Sequence, residues 1–304
     1  MADRATGLYI QRAFEELGCY VKTVDAKINP KTAYNVFNSE IFDLIFCSRT
    51  PAILPEIKSI MAETQVPCIC WNVDKRKDIR SFGDTLLGLF NEVDILYTAA
   101  KGNIKQYEEL CPNTIIKHLP QGADPHFHHK YKLTDEDRER YSCDVMFSGS
   151  VSPVHKGRRE LLRYLQTRCN IQVYGCLGED RITGVELAKA NQCAKIVLGH
   201  SGIPIEQSSS VRDYITCANG GFLLTEYCEG MERQFTGMCD WYRNKEECLE
   251  KIGYYITHSA ERKAIQDVGY KEVHKKHKYL DRIKTVLKDA NQLWEQRLSN
   301  STQV

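Results

Sequence analysis

Four short stretches of the sequence gather residue types that bind or move charge. In FSGSVSPVHKGRRELL (147–162) a strand ends at Gly149, a loop of small residues follows, and a helix opens with Lys156, Arg158 and Arg159 near its first turn. The unpaired N–H groups and positive dipole end of such a helix suit a phosphate, and the nearby cations add to that attraction. Gly149 and Ser150 let the backbone come close to a ligand. The spacing is neither that of a P-loop nor the G-x-G-x-x-G of dinucleotide sites; the plain alternative is a solvated basic helix start. In VLGHSGIP (197–204), His200 and Ser201 stand at the tip of a strand, with Gly202 and Pro204 shaping a tight loop. A histidine so placed reads either as a ligand contact or as a structural side chain.

The third stretch, VRDYITCANGGFLLTE (211–226), is a short helix, a glycine pair and an apolar strand with charged groups at both ends. Ser208 to Ser210 supply a helix N-cap. Arg212 sits in the first turn, where a cation opposes the helix dipole by a few tenths of a kcal/mol, so it compensates for an anion or for the adjacent Asp213. Glu226 ends the strand or caps the next helix. The fourth, WNVDKRKDIR (71–80), puts Asp74 just past a strand end, followed by Lys75, Arg76, Lys77 and Arg80. It reads as an anion-binding face or as a solvated loop.

Ligands of open α/β sheets bind beyond the C-terminal ends of the strands, so the elements must place these stretches there. Helical and strand patterns alternate throughout, the signature of parallel α/β sheets. RATGLYIQRAFEELG is an amphipathic helix stopped by Gly18. Strands are expected at 19–25, 42–48, 66–72, 93–99 and 114–120, then at 143–149, 170–175, 194–199, 220–226 and 238–242. Helices are expected at about 157–168, 245–257, 260–276 and 279–297. The polar segment 121–142, including TDED (134–137), reads as an interdomain linker of solvated charge. The resulting domains are 1–120, the linker 121–142, a second domain 143–278, and a C-terminal helix and tail 279–304. The first element is a helix, so the strand that usually opens a Rossmann-like domain either lies upstream of Met1 or is not part of this sheet.

The 304 residues allow one large or two medium domains. A net charge of +1 gives no global pull toward nucleic acid or membrane, and no apolar run reaches the length of a membrane span. The thirteen cysteines include no C-x-x-C pair; Cys68 and Cys70 read as small core residues, and the set fits reduced thiols of a cytoplasmic protein.

The second half, from RDYITCANGGFLLTEYCEGMERQF to HKYLDR, resembles the C-terminal domain of CgeB-like (spore-maturation-protein-like) glycosyltransferases. The family pattern falls on Arg212 with Tyr214, Gly220 to Glu226, Glu232 to Phe235, Tyr242 to Glu247, Lys251 to Tyr255, Glu261 to Gly269 and His277 to Arg282. The FSG and VYG strand ends match as well. The likeness is strong over about 143–285 and weaker before it. It implies an α/β GT-B fold, two Rossmann-like domains facing a central cleft with C-terminal helices, and a nucleotide sugar held mainly by the second domain. It further implies a metal-independent transfer from a nucleoside-diphosphate sugar, with UDP as the expected nucleotide, and no cofactor.

On that resemblance the donor site comprises Gly149, Ser150, Lys156, Arg159, Gly175, His200, Ser201, Arg212 and Glu226. Asp74 is the candidate catalytic residue, and Trp71, Lys75 and Arg76 lie on the acceptor side. The acceptor hydroxyl belongs to a polysaccharide, a protein or a small molecule, with a hydroxylated DNA base as an alternative and nucleic acid as a possible partner. A non-catalytic nucleotide-sugar binder is the second alternative. Two positions depart from the wider group: Ile215 and Gln207 occupy the places of the paired glutamates, one of which binds the donor ribose.

Overall fold

The computed structural model describes residues 5–24, 35–36, 39–49, 54–150, 155–175 and 181–301. The chain divides into two compact units, one of residues 10–120 with 280–304 and the other of residues 1–9 with 121–279. We call them the N-terminal and C-terminal units. No helix among the described residues is long and apolar enough to cross a membrane.

The N-terminal unit is built on a parallel sheet in the order β1 (Ile45–Cys47), β2 (Cys68–Asn72), β3 (Ile95–Thr98) and β4 (Ile115–His118). β2 is CICWN and β3 is ILYT, both buried along their whole length, as strands covered on two faces must be. Cys68 and Cys70 lie in the apolar core with Cys47, Leu96 and Phe90. The helices around them are α1 (Ala5–Glu16), which belongs to this unit from Ile10 onward, α2 (Leu54–Thr64), α3 (Asp84–Phe90) and α4 (Ile104–Leu110). The strand expected over 19–25 is absent: residues 19–24 are irregular, and residue 25 lies outside the described residues. Val24 alone of its hydrophobic residues packs on the apolar core, whereas Tyr20 is 77% exposed.

The C-terminal unit holds a second parallel sheet, ordered β6-β5-β7-β8-β9. Its strands are β5 (Val145–Ser148), β6 (Ile171–Tyr174), β7 (Ile196–Gly199), β8 (Leu223–Glu226) and β9 (Asp240–Tyr242). In chain order its helices are α5 (Asp135–Tyr141), α6 (Lys156–Gln166), α7 (Gly184–Cys193), α8 (Val211–Ala218), α9 (Met231–Gln234), α10 (Lys245–Thr257) and α11 (Ser259–Lys276). Val145, Phe147, Leu198, Phe222 and Leu224 form the apolar centre with the buried faces of α6 and α10.

Residues 121–142 are not a linker; they are part of this unit. Ala123 pairs with the end of α11, its N–H donating to His277 O and its C=O accepting from Tyr279 N–H, both at 2.9 Å. The acidic run is the first turn of α5, closed by a capping box between Thr134 and Asp137. Asp135, Glu136 and Asp137 precede Arg138 and Arg140, a charge order that complements the helix dipole. Lys189 of α7 pairs with Asp137 at 2.8 Å.

The last helix, α12 (Tyr279–Ser301), belongs from Leu280 onward to the N-terminal unit. Its Asp289 accepts from Tyr97 O–H and pairs with Lys117 at 2.8 Å. Trp294 Nε1 donates to Asp43 O at 2.7 Å, and Arg297 pairs with Asp94.

Candidate functional site

The C-terminal sheet has its switch point at β5. The chain leaves β5 through α6 to β6 on one side, then crosses through α7 to β7 on the other. Pairing of β5 with β6 runs to Ser148↔Tyr174, whereas pairing with β7 stops at Met146↔Val197. The carboxyl ends of β5 and β7 therefore part, and the crevice between such strand ends is the usual ligand position of these sheets.

Arg158, from the first turn of α6, spans that crevice. It is only 4% exposed, and its guanidinium donates to the carbonyl of Ser150 after β5 and to that of His200 after β7, the latter at 2.8 Å. Arg212 reaches the same place from α8. A Cβ on Gly149 would lie 2.7 Å from its Nη2, and φ of +152° already favours glycine there. The two guanidiniums share one ring, Arg158 at 5.6 Å and Arg212 at 5.2 Å from the centroid of Phe147. Gly175, at the end of β6, is the neighbour of Gly149 on the other side, its Cβ position 3.7 Å from Gly149 O.

His200 and Ser201 are joined to Glu226. The Ser201 N–H donates to Glu226 Oε2 at 3.2 Å, and His200 Nδ1 lies 3.4 Å from the same oxygen. Nδ1 also accepts the Gly202 N–H at 2.9 Å, so the neutral ring carries its proton on Nε2. That edge faces the start of α6, with Nε2 3.9 Å from the Cβ position of Gly157. Gly202, at φ +75°, packs so closely that a Cβ there would come within 2.8 Å of His155 Nδ1. Burial pushes the Tyr242 phenol well above its ordinary value, with Cys248 and Glu226 adding to the shift. It stays protonated and donates to Gly199 O at 2.7 Å, fixing the end of β7.

Asp213 serves α8. Ser210 caps the helix, and Asp213 Oδ2 accepts the Ser210 N–H at 3.0 Å to complete a capping box. Ser201 Oγ and Ser208 Oγ donate to the carbonyls of Ile203 and Ile205, so those hydroxyls shape the loop. Ile215 lies half-buried on α8. The Gln207 backbone N–H donates to Glu229 O at 2.7 Å, and its side chain lies against Gly230.

The structure thus brings Gly149, Ser150, Gly175, His200, Ser201, Arg212 and Glu226 to one end of one sheet. Lys156 is exposed at the first residue of α6, and Arg159 is half-buried beside the Arg158 position. Residues 151–154, leading into that helix, lie outside the described residues. Arg158 was visible in the sequence only as one cation among three. Its burial depends on which helix face turns inward, and the apolar Leu161, Leu162 and Leu165 are the signal that sets that phase.

In the N-terminal unit Trp71 is not available to an acceptor. It is 1% exposed, and its indole N–H donates to Leu119 O at 3.0 Å. Asp74, past the end of β2, pairs with Arg49 at 2.7 Å. Lys75 is half-buried, and the Arg76 guanidinium lies 5.2 Å from the centroid of Phe82.

Residues 156–288 match a family described as Glycosyl transferase-like, and the match runs from the first residue of α6 through Arg158, His200, Arg212 and Glu226. That stretch of the chain is similar to glycosyltransferases. Among solved structures, a sucrose-phosphate synthase from Thermosynechococcus elongatus superposes with a TM-score of 0.61 at 10% identity, covering 92% of this chain and 81% of that one. Anabaena HepE in complex with UDP-glucose gives 0.58 at 12% identity, covering 95% and 88%. An alpha-glucosyltransferase in complex with UDP and a 13-mer DNA containing an HMU base gives 0.61 at 9% identity, covering 86% and 82%. The fold is therefore the GT-B fold of glycosyltransferases. No curated protein matches the sequence.

Proposed function

We propose that the chain transfers a sugar from a nucleoside-diphosphate sugar, with UDP as the nucleotide, to an acceptor hydroxyl, and that it does so in the manner of CgeB-like enzymes. The observation that carries this reading is the Arg212 guanidinium set against the bare backbone of Gly149 at the switch point of the C-terminal sheet. A diphosphate seated there meets a guanidinium, the N–H groups opening α6, and the further charge of Lys156 and Arg159. The UDP and UDP-glucose held by two structures of the same fold support the choice of nucleotide.

In the reaction the bond from the sugar's anomeric carbon to the diphosphate oxygen breaks, and a bond to the acceptor oxygen forms. The acceptor proton is lost and UDP leaves. Negative charge grows on the leaving diphosphate, and pre-placed cations stabilise that change without reorganising at the moment of transfer. Protein cations thus do the work a metal does elsewhere. His200 Nε2–H donates to the donor, and Glu226 holds His200 and Ser201 in place. Gly175 and Ser150 complete the floor of the site. Asp74 is the acceptor-side carboxylate of this reading, with Lys75 and Arg76 beside it. Ile215 and Gln207 provide no carboxylate, so the ribose is held by other groups.

The test is turnover with a panel of nucleoside-diphosphate sugars, read as nucleotide release. Arg212→Ala should lower release by about 10²-fold or more, the scale of losing one leaving-group contact. Unchanged rates would remove Arg212 from the site. Donor binding without turnover on any acceptor pool would make the protein a non-catalytic binder.

A further inference from the structure

The cations that follow β2 do not stand alone. Hydrogen bonds tie their loop to the segment following β3, the neighbouring strand. Asn103 Nδ2 donates to Arg76 O at 2.9 Å, Gln106 Nε2 donates to Lys77 O at 3.0 Å, and Ile79 N–H donates to Gln106 Oε1 at 3.0 Å. Those bonds set Lys101 and Lys105 beside the 75–80 run at the carboxyl ends of two adjacent parallel strands, the end of a sheet where ligands bind. Lys77, Arg80, Lys101 and Lys105 are all exposed.

The acids of the 74–80 run offset only part of this charge. Asp74 is paired with Arg49 at 2.7 Å, and Asp78 with Arg80 at 3.6 Å. Among the described residues, no carboxylate forms an ion pair with Arg76, Lys77, Lys101 or Lys105. The acids of α4, Glu108 and Glu109, lie in its last turn, away from the strand tips. Arg76, Lys77, Lys101 and Lys105 thus leave an excess of positive charge across two joined loops, inside a chain whose net charge is only +1. Cations spread over two loops fit a repeated charge better than one phosphate group. The Arg76 guanidinium lies over the half-buried ring of Phe82, 5.2 Å from its centroid, and guanidinium and aromatic groups of this kind are surfaces on which bases stack.

We propose that this face binds the phosphodiester backbone of a nucleic-acid strand, and that the acceptor hydroxyl is carried on that nucleic acid. The second clause rests on the glycosyltransferase reading above; the first does not.

The test is binding of a fluorescent single-stranded DNA of about 20 nucleotides to the full chain without donor, at two salt concentrations. For about five phosphate contacts, affinity should fall by about 100-fold between 50 and 200 mM salt. The triple variant Lys77→Ala, Lys101→Ala, Lys105→Ala removes three contacts, so its loss over that range should shrink to about tenfold. All three positions are exposed, and an unchanged thermal unfolding midpoint verifies that the variant is folded. No binding, binding indifferent to salt, or equal binding by the variant would overturn the proposal. So would displacement of the strand by polygalacturonate as effective, charge for charge, as by unlabelled DNA, which would make the ligand an anionic polysaccharide. Nucleotide release from UDP-sugars is measured separately on the wild type. Strand binding without release sinks the glycosyltransferase reading and leaves the binding face standing, and release without strand binding does the reverse.

Discussion

At the scale of single residues, Arg158 is the group that joins the two sides of the site. Its guanidinium supplies donors to the carbonyls of Ser150 and His200 from a buried position. Arg158→Met keeps the apolar stem and leaves both carbonyls without that donor, at a cost of about 1–3 kcal/mol in urea unfolding. Arg158→Lys retains the charge but not the fork, and is expected to fall between wild type and Met in both stability and UDP affinity. A neutral Met variant would show that the bridge is incidental. The sequence showed the cations of HKGRRELL and the small residues before them, but not which cation turned inward. The same limit applied to Trp71: a tryptophan at a strand end reads as a ligand contact or as core, and only its buried bond to Leu119 O separates the two.

At the scale of elements, the segment 121–142 was the least legible part of the chain. Its periodicity is hidden because one short helix and a histidine-rich turn share a polar composition. His128 shows how that turn is held: Nδ1 accepts the Asp124 N–H at 2.9 Å, and Nε2 meets Tyr9 Oη at 3.1 Å. Burial, with His129 and His274 adding, pushes its pKa down to about 4. The unfolded chain takes up that proton near pH 6.5 and the folded chain resists it. The contribution is therefore complete above about pH 6.5 and is lost as pH falls toward the folded value. Between pH 7 and pH 5 the loss is about 2 kcal/mol. His128→Asn keeps an acceptor for Asp124 and should flatten the acid limb of stability, measured by urea unfolding at the two pH values. An equally steep limb in the variant would assign the acid sensitivity to other groups. By contrast, β2, β3, β5, β7 and β8 were plain in the sequence, because strands buried on both faces read as continuous apolar runs.

At the scale of the molecule, sequence order and spatial grouping differ at both ends of the chain. The residues from Leu280 onward stabilise the sheet of residues 10–120, through Asp289 with Tyr97 and Lys117, Trp294 with Asp43, and Arg297 with Asp94. Removal of 280–304 should strip hydrogen-exchange protection from β2 and β3 and leave β5 and β7 protected. Loss of protection in all four strands would mean that the two units do not unfold separately. Two α/β units were legible from two alternating series of strands and helices, and the GT-B fold was implied by the family resemblance of the second series. The partnership of the last helix was not, because an amphipathic helix does not name the face it covers.

The central claim is that a nucleotide diphosphate binds where β5 and β7 part. The most direct test is a crystal structure of the protein with UDP bound. The account predicts diphosphate oxygens within hydrogen-bonding distance of the Arg212 guanidinium, lying between Gly149 and His200 at the start of α6. A diphosphate held anywhere else, with Arg212 still folded against Gly149, would contradict it.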